Sequence, residues 1–381
     1  MKNIIYYMKK FGNRTLDEMP FNEVDSLILC QLSYLNYENL VPGLDEIDDS
    51  IDYSELIHED LMIIKMCQGT IDRNLNRKLL KLIRKKSRFK HMKINFYHRK
   101  FNPRVSKQFC AMTFIFDRFA HITFQGTDPS IIGWKEDFEM SFLEKIPAQV
   151  EAVSYLDRVA KIYHGPLYIG GHSKGGNLAY YSILNCEPHI RERTMRVFNH
   201  DGPGFKTNDI YHTEAYKEMK SRMIKVVPKD TIVGLLMHHN DAHQVVECYG
   251  AHFLQHDVFT WKINNIGHLN FLSNGSIRYK IFAKASMIWM DSISDEERKR
   301  FTDTFFNLIG AMGNVSVIDA IKHPLTYWRT VHRRYKKMSQ EDRKFLYNIL
   351  FSYGKVSRQV KKDFRQKRRH LRQLKRLKKG F

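Results

Sequence analysis

The sequence predicts an α/β protein: a mostly parallel sheet flanked by helices, with an N-terminal helical segment and a C-terminal helical extension. Three observations carry that expectation. Between residues 110 and 261, short apolar runs alternate with helix-like runs, the pattern of parallel strands joined by crossover helices. Hydrophobic residues make up 43% of 381, enough to bury a sizeable core in one large or two ordinary domains. A serine in a glycine-rich turn lies between one apolar strand and the helix after it.

Taken in order, 20–36 reads as a helix, because Phe21, Val24, Leu27, Ile28, Leu32 and Leu35 recur mostly three and four residues apart. Acidic residues over 45–52 suggest a loop. The run 73–86 makes a second helix, with Leu75, Leu79, Leu82 and Ile83 on one stripe and Arg77, Lys78, Lys81, Arg84, Lys85 and Lys86 around it. That basic surface is an ordinary solvated face or an anion site. Residues 110–116 and 121–125 look like a β-hairpin. Then come a helix at 148–163, a strand at 167–170, a helix at 175–185, and strands at 195–199, 223–227 and 244–249. From 276 the pattern is helical, with the Ser294–Glu297 spacing of a capping box and a second start at Ser339. The expected organisation is 1–100 as a helical segment packed on the core, 101–275 as the core, 276–354 as C-terminal helices and 355–381 as a basic tail.

The formal net charge is +21, which favours anionic partners without choosing among them. The tail 355–381 holds 13 Lys and Arg against Asp363 alone, so +12 of that charge sits there. A solvated charged tail is the plain reading. An anionic membrane surface is the partner that suits it next, and nucleic acid has only charge in its favour. Cys30, Cys67, Cys110, Cys186 and Cys248 form no C-x-x-C pair and mostly sit in apolar runs, as buried reduced thiols do. The apolar run near the start is too short for a signal peptide, and no stretch approaches the roughly 18 apolar residues of a membrane span. A cytoplasmic protein is expected, with a peripheral place at the inner face of the membrane if the tail docks there.

The chemistry centres on Leu167-Tyr-Ile-Gly-Gly-His-Ser173-Lys-Gly-Gly-Asn-Leu-Ala. Its Gly171-x-Ser173-x-Gly175 core follows a strand and opens a helix, where a nucleophile elbow of the α/β-hydrolase type belongs. Small flanking residues let helix and strand approach, and the helix N-terminus favours developing negative charge. A serine hydroxyl needs a base and an orienting acid, which follow in the order Ser, Asp/Glu, His in this arrangement. Asp230, just past the strand 223–227, is the expected acid; Asp201, Asp209 and Asp241 compete, Asp201 in Asn199-His-Asp-Gly-Pro-Gly204 foremost. His256 is the expected base. Backbone N–H groups of Lys174 and of Thr127, in Phe124-Gln-Gly-Thr127-Asp128, are the expected oxyanion donors.

Phe124-Gln-Gly-Thr-Asp128 with Gly133-Trp-Lys-Glu-Asp-Phe138 resembles the oxyanion segment of class 3 lipases, and Gly171-His-Ser-Lys-Gly-Gly176 resembles their elbow. Val226-Val-Pro-Lys-Asp230 is similar to the segment carrying their acid. Over about 20–310 the chain more closely resembles a family of uncharacterised bacterial α/β hydrolases related to those lipases. Its marks here are Gly133-Trp-Lys-Glu-Asp-Phe138, Gly171-His-Ser-Lys-Gly-Gly-Asn-Leu-Ala179, Asp201-Gly-Pro-Gly-Phe205 and Gln255-His-Asp-x-Phe-x-Trp261. The resemblance implies Ser173 as nucleophile, Asp230 as acid, His256 as base, and Thr127 with Lys174 at the oxyanion. Gln125 stands where those lipases usually have arginine, and Lys174 where leucine is common; a cation beside the nucleophile would favour anionic substrates.

Together these readings imply a serine hydrolase of carboxylic esters, with a lipid among the candidate substrates, needing no metal or organic cofactor. The alternative is an inactive binding protein on the same frame, attached to an anionic membrane surface by its tail.

Overall fold

The computed structural model describes residues 1–45, 50–128, 130–310 and 324–377. Half of the loop expected at 45–52 lies outside them, as do the last four residues of the tail.

A nine-stranded sheet runs through the molecule in sequence order. Its strands are β1 (Ile51–Asp52), β2 (Lys93–Asn102), β3 (Lys107–Ile115), β4 (Ala120–Phe124), β5 (Leu167–His172), β6 (Thr194–His200), β7 (Met223–Pro228), β8 (His243–Val246) and β9 (Phe271–Leu272). The sheet is mixed, which corrects the expectation of a mostly parallel one. β4 through β8 pair in parallel, while β1–β4 and β8–β9 are antiparallel. The missed strand is mainly β2. Its sequence KINFYHRKFN lacks clean alternation because a register shift lies between Asn95 and His98 and its second half is solvent-facing. β4, by contrast, is buried along its whole length, as expected of a strand covered on both faces.

The helices up to and including the one that follows Ser173 are α1 (Ile4–Lys10), α2 (Glu23–Leu32), α3 (Tyr53–Leu56), α4 (Asp60–Met66), α5 (Arg73–Lys85), α6 (Ile131–Glu139), α7 (Pro147–Ile162) and α8 (Lys174–Asn185). After it come α9 (Pro188–Glu192), α10 (Glu214–Met219), α11 (Ile277–Asp291), α12 (Asp295–Ile309), α13 (Pro324–Lys337) and α14 (Gln340–Leu377).

Each parallel strand lies one place further along the sheet than the last. Right-handed crossovers in a single direction put their helices on one face. There α7 and α8 bury Tyr155, Leu156, Leu178 and Ile183 against Ile122 and Ile169. The other face needs a cover, and the N-terminal segment supplies it. Leu27, Ile28 and Leu32 of α2 cluster with Tyr7, Met8, Leu79 and Met112. Asn22 and Asp25 form the capping box that opens α2. Asp25 is fully buried and ion-paired with Arg88, while Tyr7 donates to the same carboxylate at 2.9 Å. The basic face of α5 is partly neutralised, since Lys81 and Arg84 pair with Asp60.

The domain boundary expected at 100/101 falls inside β2, and the one at 354/355 inside α14, a single 38-residue helix. Ser276 is the N-cap of α11. All five cysteines are buried and free. Among the described residues no helix is long and apolar enough to cross a membrane.

Candidate active site

Ser173 stands between the end of β5 and the first residue of α8. Its backbone has φ +59° and ψ −133°, a conformation that costs an L-residue energy and persists only where surroundings impose it. The surroundings here are close. A Cβ on Gly171 would lie 2.1 Å from the Gly175 carbonyl carbon, and one on Gly175 would lie 2.1 Å from the Phe124 carbonyl oxygen. The first turn of α8 thus presses against both β5 and the end of β4. Ser173 N–H is held by the His200 carbonyl at 2.9 Å.

The loop after β4 runs beside the serine. A Cβ on Gly126 would sit 3.0 Å from Ser173 Cβ. Thr127 follows, and its hydroxyl donates to Asp137 Oδ2 of α6 at 2.6 Å. That hydroxyl proton is therefore occupied. Burial pushes Asp137 up to about 6, against the pull of Lys174.

Lys174 sits at the N-terminus of α8, where first-turn N–H groups have no intrahelical acceptor. Its side chain turns away from the serine. The ammonium is fully buried and donates to Glu136 Oε2 at 2.7 Å, Gln108 Oε1 at 2.8 Å and the Gln108 carbonyl at 2.9 Å. All three protons are used, so the expected cation facing the substrate is absent. Glu136 also accepts from the Gln108 and Ala148 N–H groups. The pair ties α6, α8 and β3 together.

Asp201 ends β6 with φ +56° and is fully buried. Its Oδ2 accepts from His256 Nδ1 at 2.6 Å. Its Oδ1 accepts from the Thr231 hydroxyl at 2.6 Å and the Gly234 N–H at 3.1 Å. Three donors satisfy a buried carboxylate that would otherwise be costly. Asp230, the acid expected from its place just past the strand 223–227, bonds elsewhere. Its N–H donates to Gln255 Oε1 at 2.9 Å, and its carboxylate accepts from Gln255 Nε2 at 3.3 Å. The strand 223–227 and the loop after it do serve the site, but through Thr231 and Gly234 gripping Asp201.

His256 closes a short 3₁₀ turn (His252–His256), and its side chain is 22% exposed. Two neighbours, from the motifs around Ser173 and after Gln255, hold this turn. Trp261 Nε1 donates to the Gln255 carbonyl at 2.9 Å. His172 Nε2 lies 2.8 Å from the His256 carbonyl. A carbonyl only accepts, so His172 carries its proton on Nε2, and its Nδ1 must accept from the Tyr34 hydroxyl at 3.0 Å. Burial, and after it the nearby His256, push the His172 pKa well below the usual imidazole range, consistent with that neutral tautomer. The two imidazole rings are 4.5 Å apart. The position of His172 next to Ser173 was the one local hint of this arrangement. Trp261 was read only as part of the Gln255-His-Asp-x-Phe-x-Trp261 motif, and Tyr34 carries no local signal.

Among curated proteins no match to the chain is found. Among solved structures, the native Rhizomucor miehei lipase propeptide complex is similar at 16% identity and TM-score 0.32, over 42% of this chain and 58% of that one. A deletion mutant of the same complex gives 13% identity and TM-score 0.33, over 66% of this chain and 79% of that one. The first alignment thus spans little more than half of that chain, and neither likeness is strong enough to bear on the fold or the chemistry. Residues 83–307, from just before β2 to near the end of α12, match the Mbeg1-like family model; this is more than half of the sequence, and the chain belongs to the Mbeg1-like family.

Proposed function

We propose that this protein is a serine hydrolase of the α/β-hydrolase type that cleaves a carboxylic ester, with a lipid ester among the candidate substrates. The observation that carries the reading is the Asp201–His256 pair. A fully satisfied buried carboxylate holds an imidazole through Nδ1, and that imidazole packs on the residue preceding a strained, glycine-flanked serine.

In this reading Ser173 Oγ attacks the ester carbonyl. His256 Nε2 takes the hydroxyl proton and returns it to the leaving alcohol. Asp201 keeps the Nδ1 proton in place and stabilises the imidazolium. It takes the role expected of Asp230 from its place just past the strand 223–227. Lys174 and Thr127 N–H groups receive the oxyanion. Water then attacks the acyl-enzyme with His256 as base. The hydrogen bond between Ser173 and His256 is not formed in this structure, and such bonds often tighten only when substrate is bound.

The test is labelling by a fluorophosphonate probe, comparing wild type with Ser173→Ala, beside hydrolysis of short- and long-chain p-nitrophenyl esters. Labelling that disappears in Ser173→Ala supports the reading, and chain-length preference sorts esterase from lipase. A folded wild type that neither labels nor hydrolyses would leave the alternative, a binding protein on this frame.

A further inference from the structure

The helix α14 has two unlike faces. Over its first half one face is packed, with Leu346 and Ile349 clustered on Phe301 of α12. Trp289 of α11 donates to the Ser352 hydroxyl at 2.9 Å and stacks edge-on against Tyr353. Val360 is still only 2% exposed. The other face is bare. Tyr347, Leu350 and Phe351 are 62%, 58% and 42% exposed, and a Cβ at Gly354 would meet nothing within 4 Å.

At three- and four-residue steps that bare face continues through Arg358, Lys361, Lys362, Arg365, Arg368 and Arg369, all exposed. Lys355 and Arg358 lie over the Phe351 ring at 5.0 and 5.9 Å, joining the apolar and basic parts. Asp363 is the single acid from 355 to 377. At 1.5 Å per residue the whole helix is about 57 Å long, so its basic half offers an extended one-sided surface.

We propose that this face of α14 lies on an anionic lipid bilayer. Lysine and arginine beside anionic lipid headgroups each add binding energy, and exposed aromatic and aliphatic side chains on the same stripe enter the headgroup boundary. Nucleic acid would use the charge, but a duplex backbone has no place for Leu350 and Phe351. The inference stands apart from the hydrolase reading, because binding is read without turnover.

The experiment is co-sedimentation of the full chain with vesicles of phosphatidylcholine alone and of phosphatidylcholine mixed equally with phosphatidylglycerol, with duplex DNA as a second polyanion. One variant combines Lys361→Gln, Arg365→Gln and Arg368→Gln. Another combines Leu350→Ser and Phe351→Ser. All five positions are exposed, and circular dichroism checks the fold. Wild type should sediment with the anionic vesicles only. The charge variant should bind them about a hundredfold more weakly, at roughly fivefold per cation. The apolar variant should lose about tenfold on vesicles while binding DNA as wild type does. Wild type that ignores anionic vesicles, or a charge variant that binds them unchanged, overturns the proposal. So does an apolar variant with undiminished vesicle binding, which would mark the face as a general polyanion site.

Discussion

Replacing Asp201 by asparagine tests the proposed site most sharply. The side chain keeps its shape. Its remaining oxygen can still accept from Thr231 and Gly234, so the fold should survive with little change in melting temperature. The atom facing His256 becomes an N–H₂ group, which donates. His256 Nδ1 must then accept, and the ring proton moves to Nε2. An imidazole protonated on Nε2 cannot take a proton from serine. In a triad this wrong-tautomer defect costs about 10⁴ in kcat, or about 5 kcal/mol of barrier. Asp230→Asn is the matched control. It weakens at most one bond, the 3.3 Å contact from Gln255, and retains an acceptor oxygen, so the loss should stay under about tenfold. The assay is kcat for the best p-nitrophenyl ester, with fluorophosphonate labelling rates in parallel. The assignment of Asp201 fails if Asp230→Asn is as damaging as Asp201→Asn, or if Asp201→Asn keeps wild-type turnover.

Three further outcomes follow from the same geometry. Glu136→Gln should destabilise the protein by about 3–5 kcal/mol in urea titrations, because it strands the buried Lys174 ammonium; adding Lys174→Met should recover much of that loss. Gly126→Ala should disrupt the elbow and abolish labelling, since its Cβ would lie 2.1 Å from the Tyr34 hydroxyl oxygen and 2.6 Å from the His172 carbonyl oxygen. Asp137 has a folded pKa raised to about 6 by burial, so its contribution favours the folded state at acid pH and is lost as pH rises through 6. Asp137→Asn should therefore flatten the stability profile between about pH 4 and 6, with a relative gain above pH 6; an unchanged profile in chemical denaturation would contradict that shift.

Local order was legible wherever neighbouring residues decide it. The run Leu167–His172 followed by Ser173 and α8 could be read directly, because apolar continuity makes the strand and the glycines permit only a tight strand-to-helix turn. The capping box at Ser294 and Glu297 is likewise a three-residue matter, and it opens α12 as expected. The hairpin of β3 and β4 follows from two β-rich runs a few residues apart. The strand β2 was not legible, because its pairing is irregular and its basic residues face solvent.

By itself, then, the sequence determined an α/β protein with a serine elbow, a helical C-terminal layer and a concentrated positive charge. Tertiary structure alone decided which distant groups meet. Asp201 and Asp230 both follow strands and precede His256, and their neighbourhoods ranked Asp230 first. The parallel pairing of β6 with β7 brings Thr231 and Gly234 onto the Asp201 carboxylate, and the turn ending at His256 delivers its ring to the remaining oxygen. Lys174 looks like a cation beside the nucleophile until α6 places Glu136 within 2.7 Å of it. Periodicity and capping act over a few residues and leave their mark on the chain. A buried carboxylate or ammonium is satisfied by whatever the topology carries to it, across 55 residues for Asp201 and His256 and 38 for Glu136 and Lys174.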